Sequence, residues 1–251
     1  MGSGEYRPLI DVDGRPCWPA APDWAQLVDG PRLERERWDF ESYWDRRKAR
    51  TRTLRVVDDF DLVVLGVGLG AIPAVCREIV ARDPRWRAMV DHVKTVATQA
   101  FQVWLDAKMD DLGWTAGPIT LSGFAEPFDT WADMSHLLGR ESWRRSPRAI
   151  AYFCSVLPRS DVSDARSNPA YRPTQQEQVR RNAVHFLNEE IGQLWPNAVC
   201  GPREFRWELL VDPRDGAAGS AMPGESRFAS QYWTANVNPS DRYVQIGRAH
   251  V

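Results

Sequence analysis

The stretch at residues 59–73, DFDLVVLGVGLGAIP, constrains the fold more than any other part of the chain. From Leu62 to Val67 no side chain is polar. A strand here lacks the alternation of a half-solvated sheet and demands cover on both faces. Gly66, Gly68 and Gly70 punctuate its end. Pro73 then suits the first turn of a helix, where its missing N–H has no partner to lose. The reading is a buried strand, a small-residue turn, and a helix through residues 74–80 that stops near Asp83-Pro84.

Other segments follow the same logic. Residues 95–105 alternate, with Ala97, Gln99, Phe101, Val103 and Leu105 on one face and Thr98, Ala100, Gln102 and Trp104 on a wetter one. Residues 148–157 are apolar on both sides and predict a central strand. Short strands are expected at residues 54–57, 119–124, 205–211 and 228–237. Trp131, Met134 and Leu138 stand at i, i+3 and i+7 and predict a helix over residues 129–138. The clearest helix opens on a capping box, Thr174-Gln-Gln-Glu177, and carries the stripe Val179, Ala183, Leu187, Ile191 and Leu194. Residues 33–50 have helical leanings and a thin apolar face. The fold class is mixed α and β, with more strands than a simple α/β repeat supplies.

Gly66, Gly68 and Ala71 match G-x-G-x-x-(G/A), the phosphate loop of a dinucleotide fold. That fold also needs a second strand ending in an acid about 20 residues on. Asp91 lies near that distance but precedes the next strand, and Asp106 closes it too late. Pro73 also removes an N–H that a phosphate would use. Asp129, Asp133 and His136 share a face of the expected helix, as metal ligands do, but a cap and a favourable first-turn acid explain the two aspartates equally well. No metal is expected. Ser122 lacks the flanks of a nucleophile elbow.

With a net charge of −2, the chain has no field that draws nucleic acid or an anionic membrane. No apolar run reaches the roughly 18 residues of a membrane span. Cys17, Cys76, Cys154 and Cys200 lie far apart and read as reduced thiols of a cytoplasmic protein. The 12 tryptophans either fill the core or line a cavity for a flat, apolar ligand. At the C-terminus, Ile246-Gly-Arg-Ala-His-Val251 resembles a translated sequencing adapter. The expectation is a piece of a longer gene, cut at both ends, whose own sequence stops near Gln245.

Residues 59–73 resemble the strand that returns from the substrate domain to the FAD-binding sheet in oxidoreductases of the flavin amine oxidase and carotenoid desaturase superfamily. Residues 96–105, 123–137 and 150–157 are similar to substrate-domain segments of bacterial members, and the likeness spans roughly residues 5–245. It implies part of a two-domain amine oxidase-like fold, with an incomplete FAD-binding sheet and a substrate domain built on a mixed sheet. Residues 1–52 would be a surface or substrate-domain excursion, 53–92 the strand, turn and helix rejoining the FAD domain, and 93–245 the substrate domain and the return toward the FAD domain. The implied cofactor is FAD, approached by backbone at Gly66, Val67 and Gly68, and the implied partner a small-molecule substrate, an amine or an apolar C–C compound. Trp131, Tyr152, Trp207 and Trp233 are the aromatic candidates for its cavity, and equally candidates for core. No catalytic acid or base is assigned. The family's true G-x-G-x-x-G unit and its C-terminal Gly-Asp segment are absent from these residues. The competing classes are a ligand-binding module without redox cofactor and, more weakly, an NAD-dependent dehydrogenase.

Overall fold

A computed structural model describes residues 5–12, 14–19, 21–40, 42, 44, 45, 47, 48, 50–158, 168, 170–215 and 222–244. The expected adapter-like tail at 246–251 lies outside the described residues. The chain divides into two compact units, Met1–Val64 and Leu65–Val251. The division falls inside the segment 53–92 that the sequence treats as one piece.

In the first unit, β1 (Ile10–Val12) and β2 (Arg15–Cys17) form an antiparallel hairpin. Helix α1 (Gly30–Arg35) is much shorter than the helical leanings of residues 33–50 suggest. It stops in a Schellman motif: Trp38 N–H donates to the Leu33 carbonyl and Arg37 N–H to that of Glu34, with Arg37 at φ 51°. Beyond it Arg47 lies over the Trp38 ring, 4.6 Å from its centre.

The second unit begins with α2 (Ile72–Val75), α3 (Arg77–Arg82) and α4 (Pro84–His92). The break expected near Asp83-Pro84 is present, and Asp83 caps α4 by accepting from Arg85 N–H. A two-residue strand, β3 (Thr95–Val96), leads into β4 (Thr98–Leu105). Then come β5 (Thr120–Leu121), β6 (Thr130–Asp133) and β7 (Ala149–Val156). Helix α5 (Tyr171–Glu189), β8 (Val199–Gly201), β9 (Glu204–Phe205), β10 (Tyr232–Asn236) and β11 (Tyr243–Val244) complete it. The main sheet has the order β10-β4-β7-β6-β5 with every pairing antiparallel, and β7 is central as its composition predicts. The architecture is mixed α and β with several antiparallel sheets.

Helix α5 covers one face of this sheet. Of the expected stripe, Val179, Ala183 and Leu187 are buried on α5, while Ile191 and Leu194, also buried, fall in and just after the 3-10 turn Ile191–Gln193 that follows it. Phe101 and Phe153 are cross-strand partners and stack at 4.6 Å, with Phe128, Phe186 and Trp195 set edge-on around them. Each such ring contributes roughly 1.5–3 kcal/mol by leaving water. One polar knot lies within this layer. The buried Gln99 amide donates to the Pro127 carbonyl at 2.8 Å and accepts from Asn182 at 2.8 Å, and the Ser155 hydroxyl also donates to Pro127 O.

Several expected elements take other forms. Residues 129–138 are not a helix. Thr130–Asp133 pairs with β7 and turns Trp131 into the core, and the Asp133 carboxylate accepts from Ser135 N–H to start a 3-10 turn over Ser135–Arg140. Two turns of weak amphipathicity lose to a full cross-strand pairing. The capping box is unused, because α5 starts three residues earlier at Tyr171 and takes Pro173 into its first turn. Only β9 forms of the strand expected over 205–211; a 3-10 turn at Trp207–Leu209 follows, then one bridge from Leu210 to Leu105. Phe228 sits in the 3-10 helix Gly224–Ser230 ahead of β10. Residues 61–67, expected as a buried strand, form no strand, have no ladder partner among the described residues, and are exposed.

Candidate functional site: the half-buried face of the sheet

Register decides which aromatic side chains share a surface. Trp131, Phe153, Phe101 and Trp233 are successive cross-strand partners and form one row on the face that α5 covers. Trp131 is fully buried, edge-on to Trp114 at 4.9 Å and to Trp195 at 5.8 Å. Trp233 stacks on Phe228 at 5.4 Å. Trp207 follows β9 and packs edge-on against Phe205 at 5.0 Å. Tyr152 is one residue from Phe153 and therefore points to the opposite face. The structure does not bring the four aromatic candidates together: Trp131 and Trp233 belong to the covered face, and Tyr152 stands on the other one.

Two rows cross the middle of that other face, between Trp104 with Ile150 on one side and Asn236, Thr98 and Val156 on the other. One runs Tyr232, Gln102, Tyr152 and Ala132, and the next runs Thr234, Ala100, Cys154 and Thr130. Neighbouring side chains in a row stand roughly 4.8 Å apart, the strand spacing. Tyr232 is exposed, and Gln102, Tyr152, Cys154 and Thr130 are half-buried. Tyr152 and Cys154 are neighbours on this face, two residues apart along β7. Burial first, then the nearby Cys154, Tyr243 and Tyr232, pushes the Tyr152 phenol up to about 12. Burial and then the Asp129 carboxylate push the Cys154 thiol above its usual range, so it is no activated nucleophile. At one margin the Glu141 carboxylate accepts from the indole N–H of Trp104 at 2.8 Å and of Trp143 at 2.7 Å. At the other, Asp129 accepts from the Thr130 hydroxyl at 3.1 Å. Gln102, Cys154 and Tyr232 are functional candidates that the tryptophan-led reading passes over. The polar alternation of residues 98–104 is the signal that points to their face.

The glycine turn has a separate setting. Gly66 and Val67 are exposed, and a Cβ added to Gly66 would meet nothing. Gly68 and Gly70 are glycines for another reason: added Cβ atoms would run into the backbone carbonyls of Ser240 and Pro239. The turn thus leans on the chain just after β10. Helix α2 beyond it has four residues, Pro73 among them. The next long strand, β4, pairs antiparallel with β7 and β10, and no parallel β-α-β unit follows the glycines among the described residues.

The metal-like set separates. Asp133 ends β6, His136 is exposed in the following turn, and among the described residues no three His, Cys, Asp or Glu side chains are placed to hold a metal. No helix among them is long and apolar enough to cross a membrane. Compared with known proteins, the chain matches no family model, no curated protein and no solved structure.

Proposed function

We propose that this chain is the substrate-binding part of an FAD-dependent oxidoreductase. A flavin would accept a hydride from an amine or an apolar C–C substrate held against the half-buried face of the sheet. The protein's share of that chemistry is position and dryness. The observation that carries the reading is the state of residues 61–67. Leu62 is 80% and Val64 86% exposed, in a run whose composition demands cover on both faces. Such a run fits a strand whose sheet is made by other chain, as the resemblance to a strand returning to an FAD-binding sheet implies.

The fit to the cofactor is divided. The open backbone at Gly66 and Val67 suits the close approach of a flat group. The pyrophosphate is not served, because α2 is too short and carries Pro73 where a phosphate needs N–H groups. In this proposal the phosphates are held by residues other than those described, and no step is routed through them. Tyr152, Gln102 and Tyr232 supply the wall that orients the substrate, replacing Trp131 and Trp233 in that role.

The test is expression of the complete gene and an absorbance spectrum of the purified product. The visible bands of oxidised flavin, retained through gel filtration, are the expected result. A folded, colourless product that stays colourless after added FAD would sink the oxidoreductase and leave the ligand-binding module.

A further inference from the structure

We infer that the half-buried sheet face selects a neutral, largely apolar ligand over an ammonium ion, an inference that rests on reading this face as the substrate wall. Its rows present Ala100, Gln102, Thr130, Tyr152, Cys154 and Tyr232, and no acidic or basic side chain is a register partner among them. In a chain with 26% charged residues, that is a distinct surface. The two titratable groups at its centre, Tyr152 and Cys154, are both held in their neutral forms at pH 7.

Two carboxylates, Glu141 and Asp129, stand at the margins. Glu141 is engaged by two indole N–H donors. Asp129 accepts a hydroxyl hydrogen bond from Thr130 and, among the described residues, is the carboxylate that acts on Cys154 and could attract a cation. An ammonium ion moved onto the rows themselves would exchange water for hydroxyls, one amide and two phenol rings, a poor return for its desolvation. An alkyl chain gains from the same transfer. The Gln102 amide lies between Tyr152 and Tyr232, makes no hydrogen bond among the described residues, and is the group placed to receive a substrate hydroxyl or carbonyl.

Disulfide exchange at Cys154 reads this preference on the 251-residue chain. The protein is equilibrated with hexyl disulfide fragments ending in a hydroxyl or an ammonium group, under graded reductant. Capture at each cysteine is measured by peptide mass spectrometry, with Cys17, Cys76 and Cys200 as references. At Cys154 the hydroxyl fragment should survive about tenfold more reductant than the ammonium fragment, a difference of about 1.4 kcal/mol. The references should show no such gap. Gln102→Glu, nearly isosteric and checked for folding by circular dichroism, should narrow or reverse it; the wild-type comparison stands even if that variant misfolds. Ammonium capture at Cys154 equal to or better than hydroxyl capture overturns the inference, and so does failure of both fragments to exceed the references. No flavin enters the assay. Neutral capture by a chain whose complete product never takes FAD would keep the ligand face and remove the oxidoreductase.

Discussion

Residues 61–67 and strand β7 are both rich in side chains that favour sheets, yet they end in opposite states. β7 has β4 on one side and β6 on the other, and its Phe153 and Ile150 are fully buried on opposite faces. Residues 61–67 have neither ladder nor cover among the described residues. Composition sets how much burial a strand demands, but only partners meet that demand. A run of Leu and Val therefore tells more about what a chain must meet than about where it lies.

The contrast can be broken by mutation. Phe153→Ala should cost about 3–5 kcal/mol, because its ring contacts Phe101, Phe186 and Trp195 at once. Urea unfolding of the second unit measures it. A loss under 1 kcal/mol would mean that the aromatic layer is not the core. A smaller effect belongs to Asp212, a buried carboxylate that accepts from Arg214 and from Met222 N–H. The Arg214 guanidinium holds it below the usual carboxylate range. A depressed native pKa stabilises the fold above the unfolded value of about 4, and that contribution is lost as pH falls through the native one. Asp212→Asn should cost about 1–3 kcal/mol at pH 7 and flatten the acid limb of the stability curve below about pH 4. An unchanged acid limb would show the ion pair to be inert.

On the exposed side, Val64→Asp should change stability by no more than about 0.5 kcal/mol and reduce self-association in light scattering. A loss as large as that of Phe153→Ala would mean that the run is packed after all. The smallest effect is expected at the end of α1. Arg37→Gly removes a side chain from a left-handed position and should raise the stability of the first unit by about 0.5–1 kcal/mol, read in thermal melts.

Much of the sheet was legible because its signals are local. Alternation over residues 98–105 and the stripe on α5 can be counted along the chain. Residues 129–138 were not legible, since four residues of strand carry too short a pattern to outweigh three apolar positions at helical spacing. The site was half legible. Tyr152 could be named from its type, but its separation from Trp131 and Trp233 follows from cross-strand register between residues far apart in sequence. A shift of one position in that register would exchange the faces. The close approach of Pro239 and Ser240 to Gly70 and Gly68 was out of reach for the same reason.

The polar knot at Gln99 has a consequence for uniqueness. A helix lying on a greasy sheet can slide by a turn and find contacts almost as good, because apolar surfaces are forgiving. Here α5 carries Asn182 against Gln99, which is tied in turn to the chain at Pro127. A displacement of one turn would strand two amides in an oily layer. The pair acts as a notch and key: it adds little to the strength of the union and much to its alignment, so that α5 meets the sheet in one position.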